Sequence, residues 1–417
     1  MQIMELAAVL ITLAAVFGYI NYRFIRLPTT IGIMLIAIVM SLFLVALGYF
    51  GLGGVRSRAA TMIGSIDFSD ALMNGMLSFL LFAGALHVNL DDLASRKWTI
   101  GLLATVGLLM TTAIVGVCAR GLFVAFGLDV PLIHCLLFGA LIAPTDPVAV
   151  LGIMRRAGVK KTLETKIVGE SLFNDGIAVV VFAVLLEVST GGHAVNVPHV
   201  ALLFVEEVAG GVAFGFAAGG ITYWMLKSVD NYQVEVLLTL ALVAGGYALA
   251  NAMHASGPIA MVVSGLLIGN KGRYLAMSDT TREHLDSFWE LVDEVLNAVL
   301  FLIIGLEVLA VPVEGSHVAA GLAMIPVVLG ARFVSVGLPV VAMRRFRTFS
   351  PRAVRILTWG GLHGGISVAL ALSLPAGPAR AVLLPATYIV VVFSILVQGL
   401  TIEKLATGRQ EQTADAG

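Results

Sequence analysis

Long apolar runs separated by short polar breaks repeat along the chain from Ile3 to about Leu405. A bilayer offers no water to backbone amides, so a run of about 20 mostly apolar residues predicts a membrane-crossing helix. About 13 such segments are legible. They start near Ile3, Pro28, Ala71, Thr99, Pro131, Ile167, His199, Gln233, Gly257, Asp286, Ser316, Ala353 and Ala379. The ninth is the shortest, and Ser256-Gly257-Pro258 reads as an interruption of it. The expected fold is an all-α polytopic membrane protein occupying 1–405, followed by a disordered tail over 406–417. Met1 to Glu5 lacks the basic stretch of a secretory signal, so the first run reads as a retained span.

Basic residues test this partition. One set of alternate loops holds Arg23, Arg26, Arg96, Lys97, Arg155, Arg156, Lys160, Lys161, Lys166 and Lys227. The same set continues with Lys271, Arg273, Arg282, Arg344, Arg345, Arg347, Arg352, Arg355, Lys404 and Arg409. The opposite set holds only Arg56, Arg58 and Arg380. The positive-inside rule makes the first set cytoplasmic, with the N-terminus outside and the C-terminus inside a plasma membrane. An odd number of spans also suits an inverted repeat, in which six spans, a linker span and six more face opposite ways.

Composition agrees with lipid as the solvent. Of 417 residues, 59% are hydrophobic and 12% charged, with a mean hydropathy of +0.98. A soluble domain carries about twice that charge. The formal net charge of -1 argues against nucleic acid as a partner. Cys118 and Cys135 fall in apolar runs without disulfide or metal-ligand spacing, and read as packing residues.

Two spans are interrupted at the same ordinal place in each half. In the fifth, Ala143-Pro144-Thr145-Asp146-Pro147 should break the helix around Thr145, because each proline lacks a donor and disfavours helix before it. In the twelfth, Gly360-Gly361-Leu362-His363-Gly364-Gly365 does the same with glycine. Matched broken helices point to a transporter's substrate site, since irregular backbone at membrane depth belongs where it lines a cavity. Asp146 is expected to cap the second half-helix, whose positive end favours a carboxylate. Thr145 would supply a hydroxyl and a freed carbonyl, both hard oxygen ligands.

The sixth span opens with Gly169-Glu170-Ser171-Leu172-Phe173-Asn174-Asp175-Gly176 and is apolar thereafter. Helical spacing puts Ser171 and Asp175 on one face, and Glu170 and Asn174 on the next. A carboxylate inside a membrane must hold a proton or a cation to offset its lost hydration. Asp175 is therefore read as the group that carries either, which is the simplest form of exchange. Glu170 needs a fixed partner, and Arg332 is the basic residue deep within the eleventh span. Arg120 lies nearer a helix end, where it can snorkel. Asn174 keeps the local charge low and can bond loose peptide groups of the broken helix.

At these residues the sequence resembles the monovalent cation–proton antiporter family, in its sodium/proton exchanger branch, of NhaP type. The resemblance is carried by Pro144-Thr145-Asp146-Pro147, Gly169-Glu170-Ser171 with Asn174-Asp175, and Ser256-Gly257-Pro258. Gly265-Leu266-Leu267-Ile268-Gly269-Asn270, Leu300 to Glu307, Arg332, and Trp359 to Leu362 with Leu374-Pro375 complete it. It implies a homodimer of 13-helix protomers with crossed broken helices. Core-domain helices would lie around 71–190 and 286–375, and the remainder would dimerise. It also implies a Na+/H+ site of Thr145, Asp146, Ser171 and Asp175, supported by Asn174 and a buried pair of Glu170 and Arg332. The Asn-Asp order resembles the electroneutral branch, exchanging one cation for one proton. No cofactor is implied beyond the transported Na+ (or Li+) and H+.

Two departures stand out. An acid often found in the third span is replaced by Ala83, and an arginine of the twelfth-span motif by His363. His363 would then either sense pH or pack as a satisfied buried residue. Glu290, Asp293 and Glu294 read as a solvated rim, with Glu307 near the outer interface. His87, Asn89, Asp91 and Asp92 read either as a cation-gathering funnel or as a hydrated helix end.

Three other functions could draw on the same residues. K+/H+ exchange on the same fold stays open. A cation channel fits a buried strut and a titrating acid less well than alternating access does. An intramembrane hydrolase with Ser171 and His363 would lack a nucleophile elbow and leave Asp146, Asp175 and Arg332 idle.

Overall fold

The computed structural model describes residues 3–49, 68–147, 154, 161–190, 197–309, 315–345, 349 and 352–407. Every regular element among them is helical. The helices are α1 (Ile3–Ile20), α2 (Thr29–Tyr49) and α3 (Leu77–Leu86), the last continuing a π-helical stretch, Ala71–Met76. Then come α4 (Leu108–Ala125), which continues from Lys97–Leu102, α5 (Leu132–Ile142), α6 (Lys161–Thr190) and α7 (Val197–Lys227). The second half contains α8 (Tyr232–Ala252), α9 (Gly257–Leu267), α10 (Asp279–Glu307) and α11 (Gly315–Met343). It closes with the two pieces α12a (Ala353–Trp359) and α12b (Gly365–Leu372), and α13 (Pro378–Phe393).

Among the described residues, eight helical stretches are long and apolar enough to cross a bilayer. α3, α5, α9 and the halves of α12 are shorter, and α10 carries acids through its first half. The apolar segments read from sequence coincide with these helices, but two begin earlier. α6 starts at Lys161 rather than near Ile167, and α10 at Asp279 rather than near Asp286. For α10 the cause is local: the Ser278 hydroxyl accepts from the Thr281 amide at 3.3 Å and caps the helix. Thr281, Leu285 and Trp289 then bury one face at a spacing of four.

Ser256-Gly257-Pro258 does not interrupt the ninth segment; it begins it. Ser256 is the N-cap of α9, accepting from the Ile259 amide at 3.4 Å, and Pro258 occupies the first turn, where its missing N–H costs nothing. The final helix, Gly399–Thr407, runs two residues into the stretch expected to be disordered. Arg56, Arg58, Arg155, Arg156, Lys160, Arg347, Arg409 and the tail from 408 lie outside the described residues.

The helices pack in two groups. α4, α5, α6, α11, α12b and α13 contact one another, while α2 packs on α10, α3 on α9, and α7 on α8 and α9. α3 and α10, placed by the expected division within 71–190 and 286–375, pack on α9 and α2 of its remainder, and α6 also meets α7 and α9. Their partners explain it: small residues on α9 and α10 let those backbones approach. A Cβ at Gly265 would lie 2.8 Å from the Phe82 carbonyl of α3, and one at Gly305 would lie 2.8 Å from the Met34 carbonyl of α2. Along α7, Gly211, Gly215 and Gly219 form a matching groove for Ser256, Ala260 and Ser264. Within the other group the Thr111 and Ser335 hydroxyls bond at 2.8 Å between α4 and α11. Cys135 is buried there, whereas Cys118 is exposed on α4 and is not a packing residue.

Candidate functional site

α5 stops at Ile142, and residues 143–147 are non-helical. α12 is likewise open between Trp359 and Gly365. The two openings meet. The Asp146 amide donates to the Leu362 carbonyl at 2.6 Å, forming an isolated antiparallel bridge. His363 donates from Nδ1 to the Pro144 carbonyl at 3.2 Å, since a carbonyl can only accept. Freed peptide groups of each break are thus satisfied by the other, as backbone in an apolar setting requires. The half-helix expected after Pro147 lies outside the described residues, and the capping role of Asp146 with it.

α13 completes the junction through two residues that the sequence reading missed. The His363 amide donates to Ser394 Oγ at 3.0 Å, and Gln398 Nε2 donates to the Trp359 carbonyl at 3.1 Å. Both sit in a π-helical stretch, Ser394–Gln398. The signal available was a pair of buried polar residues, one helical turn apart, in an apolar run.

α6 lies against the α5 break. Ser171 donates its hydroxyl to the Thr145 carbonyl. Asn174 Nδ2 donates to the Thr145 hydroxyl at 3.0 Å, while its Oδ1 accepts from the Thr145 amide at 3.5 Å. Residues 171 and 174 therefore hold Thr145 from both sides. On the neighbouring face, Glu170 Oε1 and Arg332 Nη2 of α11 are 2.6 Å apart, with side chains 2% and 4% exposed. Gly361 leaves the room: a Cβ there would lie 2.8 Å from Arg332 Nε. Arg120, by contrast, pairs with Asp129 at 2.7 Å at the exposed end of α4.

A cavity of about 590 Å³ reaches this junction and is lined by Thr145, Asp146, Ser171 and Asp175 together. Asp175 faces the cavity and not lipid, one turn of α6 from Ser171. Ser367 also lines it, and its buried hydroxyl has no hydrogen-bond partner among the described residues. The opposite wall includes His87 and Ala83 of α3, and Asp286, Glu290, Asp293 and Asn297 of α10. From Asp286 to Leu300 the wall spans about 21 Å, at 1.5 Å per residue. Glu290 and Asp293 both line the cavity, Glu290 exposed as a solvated rim requires and Asp293 half-buried, while Glu294 is exposed outside it. Asn89 caps the short helix Leu90–Ala94, and Asp92 pairs with Lys161 at 3.1 Å, so these two belong to a hydrated helix end. Glu307 is buried at the far end of α10.

The close approach of α12b depends on Gly364, where a Cβ would lie 2.5 Å from Asp146 Oδ2 and 2.7 Å from its Cβ. Gly364→Ala is expected to displace that carboxylate and to lower the cation–proton exchange implied by the sequence about tenfold, the effect of about 1.4 kcal/mol of overpacking. Gly245→Ala on α8, with open space around its Cβ, should leave the rate unchanged. Dye-reported flux in reconstituted vesicles measures both.

A model of the transmembrane sodium/hydrogen exchanger family matches residues 11–408. The chain is 54% identical over 406 residues to the Na(+)/H(+) antiporter NhaP of Pseudomonas aeruginosa, covering 96% of each. It is 33% identical to the Na(+)/H(+) antiporter NhaH of Halobacillus dabanensis, over 97% of this chain and 96% of that one. Among solved structures, the sodium proton antiporter MjNhaP1 from Methanocaldococcus jannaschii superposes with a TM-score of 0.76. That likeness covers 97% of this chain and 99% of the other at 19% identity, and it speaks for the fold. With helices long enough to span a bilayer, two breaks that meet at one cavity, and relatives of this kind along nearly its full length, the chain belongs to the sodium/hydrogen exchanger family.

Proposed function

We propose that the protein exchanges Na+ for H+ across the membrane, with both substrates competing for Asp175. The observation that carries this reading is the convergence of Asp175, Ser171, Thr145 and Asp146 on one cavity. Carboxylate, hydroxyl and carbonyl oxygens are the hard ligands an alkali cation takes in place of water. Protonating Asp175 removes the negative charge that holds the ion, so loading one substrate expels the other. Asn174 stays neutral and fixes Thr145. Glu170 and Arg332 neutralise each other and form a strut between α6 and α11. His363 serves as a tie between the two breaks, which favours a structural role over pH sensing.

In this reading the group of α4–α6 and α11–α13 moves against the remainder, including α3 and α10. The cavity faces the cytoplasm, beside the basic stretch Lys271–Arg273, and the N-terminus is outside in the plasma membrane. Protomers pair as a homodimer, and no cofactor takes part. One Na+ moves per H+, so clamping the membrane potential in proteoliposomes should leave the rate unchanged. An exchange that moved one net charge would be biased by about 2.3 kcal/mol per 100 mV. Voltage-dependent flux would overturn the stoichiometry without touching the site. Substituting K+ for Na+ in the same assay should abolish the pH change; a K+-driven change of equal size would reassign the cation.

A further inference from the structure

Where the helix of α4 begins and α11 ends, the surface carries a second groove, of about 720 Å³, that the exchange site does not use. One wall is Lys97, Trp98, Gly101, Leu102 and Thr105; the other is Met343, the last residue of α11. The first wall is helical over Lys97–Leu102 and π-helical over Leu103–Gly107. Lys97, Gly101 and Thr105 recur at intervals of four, with Trp98 and Leu102 beside them, so they share one face. The Thr105 hydroxyl donates to the Gly101 carbonyl at 2.6 Å. With that proton engaged, Trp98, Leu102 and Met343 make the groove apolar. Gly101 keeps it open, since a Cβ there would meet nothing within 4 Å.

The rim is basic. Arg344 follows Met343 directly, its amide donating to the Val340 carbonyl at 3.0 Å, and Arg345 comes next. Lys97, Arg344 and Arg345 are exposed, and none forms an ion pair with any described residue. By contrast, Lys161, Arg273 and Arg282 are each matched by an acid. Trp98 is 70% exposed, with Lys97 Nζ 5.9 Å from its ring centre. A bare indole at the end of a membrane helix belongs at the bilayer interface, where its ring meets lipid and its N–H a headgroup. A free anion would gain nothing from the apolar walls, and a neutral lipid would leave the cations unmatched. A phospholipid with a net negative headgroup complements both parts of the groove.

We propose that an anionic phospholipid binds in this groove, its phosphate held by Lys97, Arg344 and Arg345 and an acyl chain laid against Trp98, Leu102 and Met343. The bound lipid ties the start of α4 to the end of α11, two helices that also meet through Thr111 and Ser335. The proposal is independent of which ions the protein exchanges.

The test is tryptophan quenching in the full-length protein, reconstituted in phosphatidylcholine vesicles with a minor share of phosphatidylglycerol, one lipid or the other carrying brominated chains. Bromine quenches an indole only in near contact. Subtracting the signal of Trp98→Phe isolates Trp98 from the remaining tryptophans. Trp98 should select phosphatidylglycerol over phosphatidylcholine about tenfold, the scale of a few interfacial cations after screening. Lys97→Gln combined with Arg344→Gln and Arg345→Gln should bring that preference to within about twofold of unity. Gly101→Leu keeps every charge but fills the groove, and should reduce the preference as far. Monodisperse elution at normal yield establishes that these surface variants are folded. Equal quenching by the two lipids at Trp98 would overturn the proposal. A preference that survives Gly101→Leu would also overturn it, because a basic surface would then attract anionic lipid without a built site. Loss of the preference in inorganic phosphate, but not in chloride of equal ionic strength, would assign the cations to a free anion instead.

Discussion

Asp175→Ala is expected to abolish the pH change that a sodium gradient drives in proteoliposomes, to about one hundredth of wild type or less. Removing an ionised ligand from a buried charge contact costs on the order of 2–5 kcal/mol, and 2.7 kcal/mol is already about a hundredfold. The loss should be total because Asp175 has two tasks. Without it, the site holds the cation poorly and has no group to carry the proton back. Asp175→Asn, close in volume, separates charge from packing and should be equally inactive. Ser171→Ala should be milder. It frees the Thr145 carbonyl from its hydroxyl donor but leaves the carboxylate in place. A tenfold reduction from Ser171→Ala, beside silence from Asp175→Asn, would fit a ligand set dominated by one charge. Unimpaired sodium-driven acidification or alkalinisation in Asp175→Asn would refute the exchange mechanism.

The second large effect concerns stability. Arg332→Ala leaves Glu170 as an uncompensated charge within the protein, at 2% exposure, and should lower stability by about 3–5 kcal/mol. That is a large share of the net stability of a folded protein, so folded yield should collapse. Glu170→Ala should be comparably harmful. The paired change Glu170→Gln with Arg332→Gln removes both charges at similar volume and should recover much of the yield. Thermal stability of the purified single and double variants, arranged as a cycle, measures the coupling. Additive losses, with no recovery in the double variant, would show that the two side chains stabilise the protein independently.

Much of this site was legible because membranes make polarity expensive. A proline pair or a glycine run inside an apolar segment can only mark a break, and an acid beside it can only be there for use. Glu170 and Arg332 could be paired from sequence because each demands a partner and few deep charges exist. What escaped has equally physical reasons. The Ser394 and Gln398 contacts depend on how α13 lies along α12, and no local period encodes that. Asp293 looked like part of a solvated rim because its neighbours are polar; only the packed cavity puts it in one lining with Asp146 and Asp175. Ser256-Gly257-Pro258 was misread as a break because a cap and a break use the same residue types. The packing partners of α3 and α10 escaped for a further reason. Partner choice rests on glycine faces such as Gly265 and Gly305, whose fit is a property of two helices together.

Competition at one carboxyl group is tested most directly by equilibrium Na+ binding to the purified protein across a range of pH. If Na+ and H+ exclude each other at Asp175, the apparent Kd for Na+ rises about tenfold for each unit of acidification once the site is protonated, and protons are released as sodium binds. Asp175→Asn should lose the binding signal. An apparent Kd that stays constant with pH, with no proton released, would mean that the two ions do not share the site, contradicting the account.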